Sequence, residues 1–208
     1  MRLFLASSLD KSATLLPEKL SALRNKTVLF IANAADNHEG DKWWVRLDKE
    51  AFEKMGYKVL ETDLRNISKA DLTGQIKKTG IIHFCGGSVL YLILLIRENN
   101  LSQIIVDSVK NGEIIYSGTS AGSMIVAKDL SLSAFDPEEE QLVKKMGDYS
   151  GLGLADFLIM PHANNDGFLE GNKRMIEQLP KYNQPLIFIY DNQVVWVEDD
   201  KMEILTAK

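Results

Sequence analysis

The chain has 208 residues, 45% of them hydrophobic, and a formal charge of −5. That length supports one well-buried domain or at most two small ones, and we expect a single domain over residues 1–208. The charge is mild and not gathered into blocks, so no surface for nucleic acid or anionic membrane is expected.

Cys85 is the only cysteine, so no internal disulfide can form. The first apolar segment, Leu3 to Ala6, is too short for a secretory leader, and a reducing cytoplasm is the expected compartment. The longest apolar run, Val89 to Ile96, has eight residues, against the roughly 20 that a membrane-spanning helix needs. No internal repeat or low-complexity tract interrupts the chain.

In chain order, Leu3 to Ala6 reads as a short strand, followed by the polar Ser7-Ser8 and a helix over residues 13–24. Val28 to Ala32 is a continuous apolar run, as in a central parallel strand covered on both faces. Asp41 to Met55 has helical spacing, with Gly56 suited to the stop. A strand at Tyr57 to Leu60, a helix at Ser68 to Lys77 and a strand at Ile81 to Phe84 lead into Cys85-Gly86-Gly87. The helix through Arg97 is apolar nearly all round and therefore buried. A further helix over 101–110 precedes the strand at Ile114 to Tyr116. The charged run from Asp136 to Asp148 reads as a solvated helix or loop. Phe157 to Met160 is a strand and 167–179 a helix. Leu186 to Tyr190 and Val194 to Val197 read as a hairpin around Asp191-Asn192-Gln193, with Met202 to Leu205 closing the sheet edge. Alternating strands and helices predict right-handed βαβ units and a mainly parallel sheet, with antiparallel strands added late at one edge.

The most informative stretch is Gly118-Thr119-Ser120-Ala121-Gly122. It lies between an apolar strand and a helix-compatible run, the context of a nucleophile elbow. A serine on this corner has an exposed hydroxyl, and the N–H groups of the helix that starts there face the reacting atom. Ser120 is thus the candidate nucleophile. Ligands in such sheets sit beyond the carboxyl ends of the strands. The turns at Gly86-Gly87, Ser120 and Pro161-His162 all fall there.

A serine nucleophile needs a base. Of the three histidines, His38 sits in a polar loop and His83 inside a strand, where it reads as a core residue. His162, stiffened by Pro161, is the candidate base. Gly87 and Ala121 can present backbone N–H groups to a developing alkoxide. Cys85 precedes the turn instead of occupying the elbow and reads as buried and inert. Trp44 fits the buried face of its helix, and Trp43 the surface or a pocket lining. No motif at metal-ligand spacing appears, so no metal is expected. Gly151-x-Gly153 lacks the rest of a dinucleotide fingerprint, so no cofactor is expected.

With these residues in place, the chain resembles the peptidase E (α-aspartyl dipeptidase) and cyanophycinase family of serine peptidases. The resemblance runs over nearly the whole chain. It rests on Phe4-Leu5-Ala6-Ser7-Ser8, Phe84-Cys85-Gly86-Gly87, Gly118-Thr119-Ser120-Ala121-Gly122 and Met160-Pro161-His162. It implies a doubly wound α/β fold like that of class I glutamine amidotransferases, Ser120 as nucleophile, His162 as base, and Gly87 with Ala121 as oxyanion donors. It also implies a small-peptide substrate, and Arg174, in Gly171-Asn172-Lys173-Arg174, as the holder of a substrate's aspartyl carboxylate. A guanidinium fork suits that task.

Two positions depart from the pattern. Ser88-Val89 follows Gly87 where the family often has Asn or Gln and then Thr, so the pocket at Ser88 differs. The triad acid falls near Asp191-Asn192-Gln193, leaving Asp191 and Asn192 as alternatives and Asp136 as a third. An amide at that place would orient the histidine without stabilising its cation. Three readings follow: a serine peptidase, a weakened relative that binds acidic peptides or metabolites without turnover, and an α/β-hydrolase esterase. The last runs nucleophile, acid, histidine in chain order, whereas His162 here precedes the favoured acid position.

Overall fold

A computed structural model describes residues 1–20, 23 and 25–208. A seven-stranded sheet organises the fold. Its strands are β1 (Arg2–Ala6), β2 (Thr27–Ile31), β3 (Lys58–Glu61), β4 (Ile81–Phe84), β5 (Ile115–Thr119), β8 (Gln193–Glu198) and β9 (Lys201–Thr206), in the spatial order β3-β2-β4-β5-β1-β8-β9. The first five pair in parallel, while β8 runs antiparallel to β1 and β9 antiparallel to β8. A separate two-stranded parallel sheet joins β6 (Leu158–Met160) to β7 (Leu186–Phe188).

The inner strands are apolar runs because both faces are covered. On β1, Leu3 and Leu5 pack into one core cluster and Phe4 and Ala6 into another. The second cluster is closed by α1 (Leu9–Ser12), α2 (Leu16–Leu20) and α3 (Trp43–Lys54), through Leu9, Leu16, Leu20, Ala51 and Phe52. The first is closed by α4 (Lys69–Ile76), α5 (Val89–Glu98), α6 (Ser102–Lys110), the one-turn α7 (Ala121–Met124) and α9 (Leu169–Ile176). Six of the ten residues of α5 are buried, which is why its sequence lacks a polar face. Among the described residues no single helix is long and apolar enough to cross a membrane. The segment that reads as charged and solvated contains α8 (Glu140–Val143).

Three expectations need correction. The late hairpin is β8–β9, turning at Asp199-Asp200 with Asp199 at φ +52°. Leu186 to Tyr190 is not its first arm, because β7 pairs with β6. Two apolar runs about three polar residues mimic a hairpin locally, but the partner of β7 is set by tertiary packing. The helix expected over 13–24 is broken into a 3-10 turn and α2, and Ser21, Ala22 and Arg24 lie outside the described residues. The run from Asp136 to Asp148 is not wholly solvated, since Glu139 is buried.

Candidate active site

β5 ends at Thr119 and α7 starts at Ala121, which leaves Ser120 on the corner with φ +51° and ψ −113°. Such a backbone costs on the order of 1–3 kcal/mol and persists only when its surroundings enforce it. Here they do. Ser120 N–H donates to Ala6 O at 3.0 Å. Ser123 Oγ lies 2.8 Å from both Ala6 O and Gly118 O, and Tyr116 Oη donates to Gly122 O at 2.6 Å. Both glycines are required by close approach: a Cβ on Gly118 would stand 2.4 Å from Gly122 C, and one on Gly122 2.0 Å from Phe84 O.

His162 lies two residues beyond β6, at φ +59°. Its Nε2 is 3.0 Å from Ser120 Oγ and its Nδ1 is 2.6 Å from Asp191 Oδ1. A proton on Nδ1, shared with Asp191, leaves Nε2 free to accept from Ser120. Asp191 follows β7, and the pairing of Met160 with Phe188 sets the two strand ends side by side. The ring of Phe168 stacks on the imidazole, with centroids 4.0 Å apart.

The side chain of Asp191 is buried and its oxygens are fully engaged. Oδ1 also accepts from Ser7 Oγ at 3.2 Å; Oδ2 accepts from Lys11 Nζ at 2.8 Å and Asn165 Nδ2 at 3.2 Å. Asn164 Oδ1 takes the backbone N–H of Asp191 at 2.9 Å. Burial pushes this carboxyl up, but the bonds from Lys11, His162 and Asn165 outweigh it and hold it down at about 2. For His162, burial wins over the opposing pull of Asp191, and its pKa falls below the ordinary histidine value. Ser7 ties the array together: its Oγ accepts the backbone N–H of His162 at 2.8 Å.

The Gly86-Gly87 turn lies against the elbow, since a Cβ on Gly86 would be 3.2 Å from Ser120 Cβ. Gly87 has φ +144°, and a Cβ there would meet Ala34 O at 2.2 Å. Only glycine fits. The backbone N–H groups of Gly87 and Ala121 have no protein acceptor among the described residues. Trp44 is half-buried, and its Nε1–H donates to Gly86 O at 3.0 Å.

The other expected site residues lie elsewhere or are otherwise engaged. Asn192 Nδ2 donates to Ala207 O at 2.9 Å, so the side chain at His162 is that of Asp191. Asp136 caps a 3-10 turn through Glu138 N–H. Ser88 caps α5, accepting from Tyr91 N–H at 3.0 Å and donating to Glu139 Oε2 at 2.7 Å. Arg174 is half-exposed, pairs with Glu170 at 2.9 Å, and lines a cleft of about 420 Å³ with Asp136, Glu140 and Glu177. His38 is exposed and packs edge-on against Trp44 at 4.6 Å.

A second Ser–His–Asp chain lies in the core. His83 bonds Ser117 Oγ through Nδ1 at 2.9 Å and Asp48 Oδ2 through Nε2 at 3.2 Å. Cys85 is buried beside Asp48; burial, with that neighbouring carboxylate, raises its thiol pKa well above the usual range. Asp48, His83 and Cys85 bring metal-ligand atoms within 4.8 Å of one another, a grouping that no local spacing in the sequence displays. Both ring nitrogens of His83 are already engaged, one by Asp48 and the other by Ser117.

Sequence reasoning missed Ser7, Lys11, Asn164, Asn165 and Phe168 as neighbours of His162 and Asp191. For Ser7 a signal existed, since it directly follows a strand of the parallel sheet. For the others none did.

An elbow serine at the end of a strand of the large parallel sheet thus meets a histidine and a carboxylate that follow the strands of the small sheet, an arrangement like that of the Ser-His-Asp hydrolases. The chain belongs to peptidase family S51, whose model matches residues 3–205. An uncharacterized peptidase of Listeria monocytogenes is 28% identical over 201 residues, covering 93% of this chain and 96% of the relative. One from Pasteurella multocida is 29% identical over 199 residues, covering 96% and 94%. In structure the chain is similar to a provisionally assigned peptidase E protein from Listeria monocytogenes, with TM-score 0.89, 25% identity, and 100% and 98% of the two chains covered. A peptidase from an acI-B1 actinobacterium shares the fold at TM-score 0.68 and 19% identity, with 99% of this chain and 87% of that one covered.

Proposed function

We propose that this chain is a serine peptidase of small peptides, with Ser120 as nucleophile, His162 as base and Asp191 as the acid that orients it. The observation that carries the reading is the unbroken chain Ser120 Oγ–His162 Nε2 at 3.0 Å and His162 Nδ1–Asp191 Oδ1 at 2.6 Å. Ser120 Oγ attacks the scissile carbonyl as His162 Nε2 takes its proton. The N–H groups of Gly87 and Ala121 receive the negative oxygen. His162 then protonates the leaving amine, and the C–N bond breaks to give an acyl ester on Ser120. A water, deprotonated by His162, hydrolyses that ester and restores Ser120. Asp191 stays ionised throughout, which agrees with its low pKa.

An N-terminal aspartyl preference rests on Arg174. To receive a substrate carboxylate, its guanidinium would have to leave Glu170, in a cleft already lined by three carboxylates. The test is a dipeptide panel, Asp-X against Ala-X, Glu-X and Lys-X, with wild type and Ser120→Ala. We expect hydrolysis by the wild type and a loss on the order of 10⁴–10⁶ in kcat in the variant, the range seen when a serine-protease nucleophile is removed. Unchanged hydrolysis by Ser120→Ala would sink the reading.

A further inference from the structure

We infer that Trp44 is a positioning residue, whose indole N–H fixes the Gly86–Gly87 peptide so that Gly87 N–H faces the oxyanion. This rests on the proposed function, because it assigns the partner of one of its oxyanion donors.

The argument starts from peptide geometry. No peptide bond among the described residues is cis. In a trans peptide the C=O of one residue and the N–H of the next point in opposite directions. Whatever fixes Gly86 O therefore fixes Gly87 N–H, facing the other way. Trp44 Nε1 holds Gly86 O at 3.0 Å. On the far side Gly87 is pressed against Ala34, and Ser88 N–H donates to Ala34 O at 2.8 Å.

Two glycines in a row have unusual freedom of rotation. The peptide between them could turn over at little steric cost, bringing a carbonyl oxygen where a donor is needed. A carbonyl there would repel the developing alkoxide. Turning over would also strand the half-buried indole N–H without its acceptor, which is unfavourable. The indole thus biases the plane toward the productive side. Trp44 is itself held in place by His38, which packs edge-on against its ring at 4.6 Å.

The test compares Trp44→Phe, which keeps an aromatic ring but loses the N–H, with Trp43→Phe as control. Three quantities are read: kcat and KM on the best dipeptide, inhibition by a peptide aldehyde that adds to Ser120, and the rate at which a fluorophosphonate labels Ser120. The last needs no knowledge of the natural substrate. We expect Trp44→Phe to lower kcat and the labelling rate about 10–100-fold, somewhat less than the full loss of one oxyanion donor. Aldehyde affinity falls in parallel, KM stays within about threefold, and Trp43→Phe behaves as wild type. Labelling and kcat within twofold of wild type in folded Trp44→Phe would overturn the inference. So would a kcat loss with aldehyde affinity unchanged, the mark of a merely structural role. If Trp44→Phe fails to fold, Trp44→Tyr is read by the same criteria. Failure of the wild type to be labelled at Ser120 would instead overturn the proposed function, and this inference with it.

Discussion

Asp191 sits at the meeting point of four side-chain donors, from Ser7, Lys11, His162 and Asn165. Lys11 has a double effect. Its bond holds Asp191 ionised, and its positive charge also lowers the pKa of His162. In the proposed mechanism Ser120 gives its proton to neutral His162, so the acid limb of the pH–rate profile should follow that group. Burial places the limb below the ordinary histidine value. Removing the Lys11 charge favours the imidazolium and moves the limb to higher pH. Lys11→Met should therefore lose activity on acidification sooner than wild type, and the difference should shrink with added salt because Lys11 is half-exposed. An unmoved limb at low ionic strength would refute this role. The choice between Asp191 and Asn192 is tested by substitution. Asp191→Asn should lower kcat about 10³–10⁴-fold, near the loss that the same change causes in a chymotrypsin-type triad. Asn192→Ala removes a bond to Ala207 and should cost less than about tenfold. The reverse ranking in a kcat comparison would return Asn192 to the site.

The same logic operates on whole elements. Helix α5 begins just after the Gly87 turn, and its first N–H groups are capped from a distant segment. Glu139 Oε1 accepts from Val89 N–H at 2.5 Å and Oε2 from Ser88 Oγ at 2.7 Å. Burial raises this carboxyl to about 7, despite hydrogen bonds from Ser88, Val89 and Leu90 that pull it down. In the unfolded chain it titrates near its ordinary value of 4.5. As pH rises through that window the unfolded state releases its proton first, so stability is lost between about 4.5 and 7. Glu139→Gln mimics the protonated form. It should remove this slope and, above the window, exceed wild type by up to roughly 3 kcal/mol in urea unfolding. An identical pH slope in the variant would refute the assignment. Glu139 also marks where the sequence stops being legible. The inner strands could be read because burial on both faces forces continuous apolar runs, and the elbow because its glycines sit where a Cβ cannot. Nothing local distinguishes the one carboxylate of Asp136 to Asp148 that turns inward from those that face solvent. Nor does anything local tell Leu186 to Phe188 that its partner is β6. Ser120 and His162 could be picked out because each closely follows a strand, whereas Lys11 and Asn165 reach Asp191 only through the tertiary fold.

Across the molecule the proposed catalytic groups divide between two bodies of unequal size. Ser120 belongs to the seven-stranded sheet, at the end of a strand buried along its whole length. His162 and Asp191 follow the strands of the two-stranded sheet, and β7 is only partly buried. A two-stranded unit is marginal by itself and depends on docking. Here the docking side chains that touch the site are Ser7 and Lys11, just after β1. Local opening should therefore begin at the small sheet. In hydrogen exchange, the amides of Ile187 to Ile189 should exchange faster than those of β1, β4 and β5. In a urea titration, labelling of Ser120 by a fluorophosphonate should fade before the loss of far-ultraviolet circular dichroism, because separating His162 from Ser120 removes the base without unfolding the large sheet. Coincident transitions by the two probes would mean that the two sheets form one cooperative unit. The histidine–carboxylate pair would then be held as rigidly as the elbow it serves.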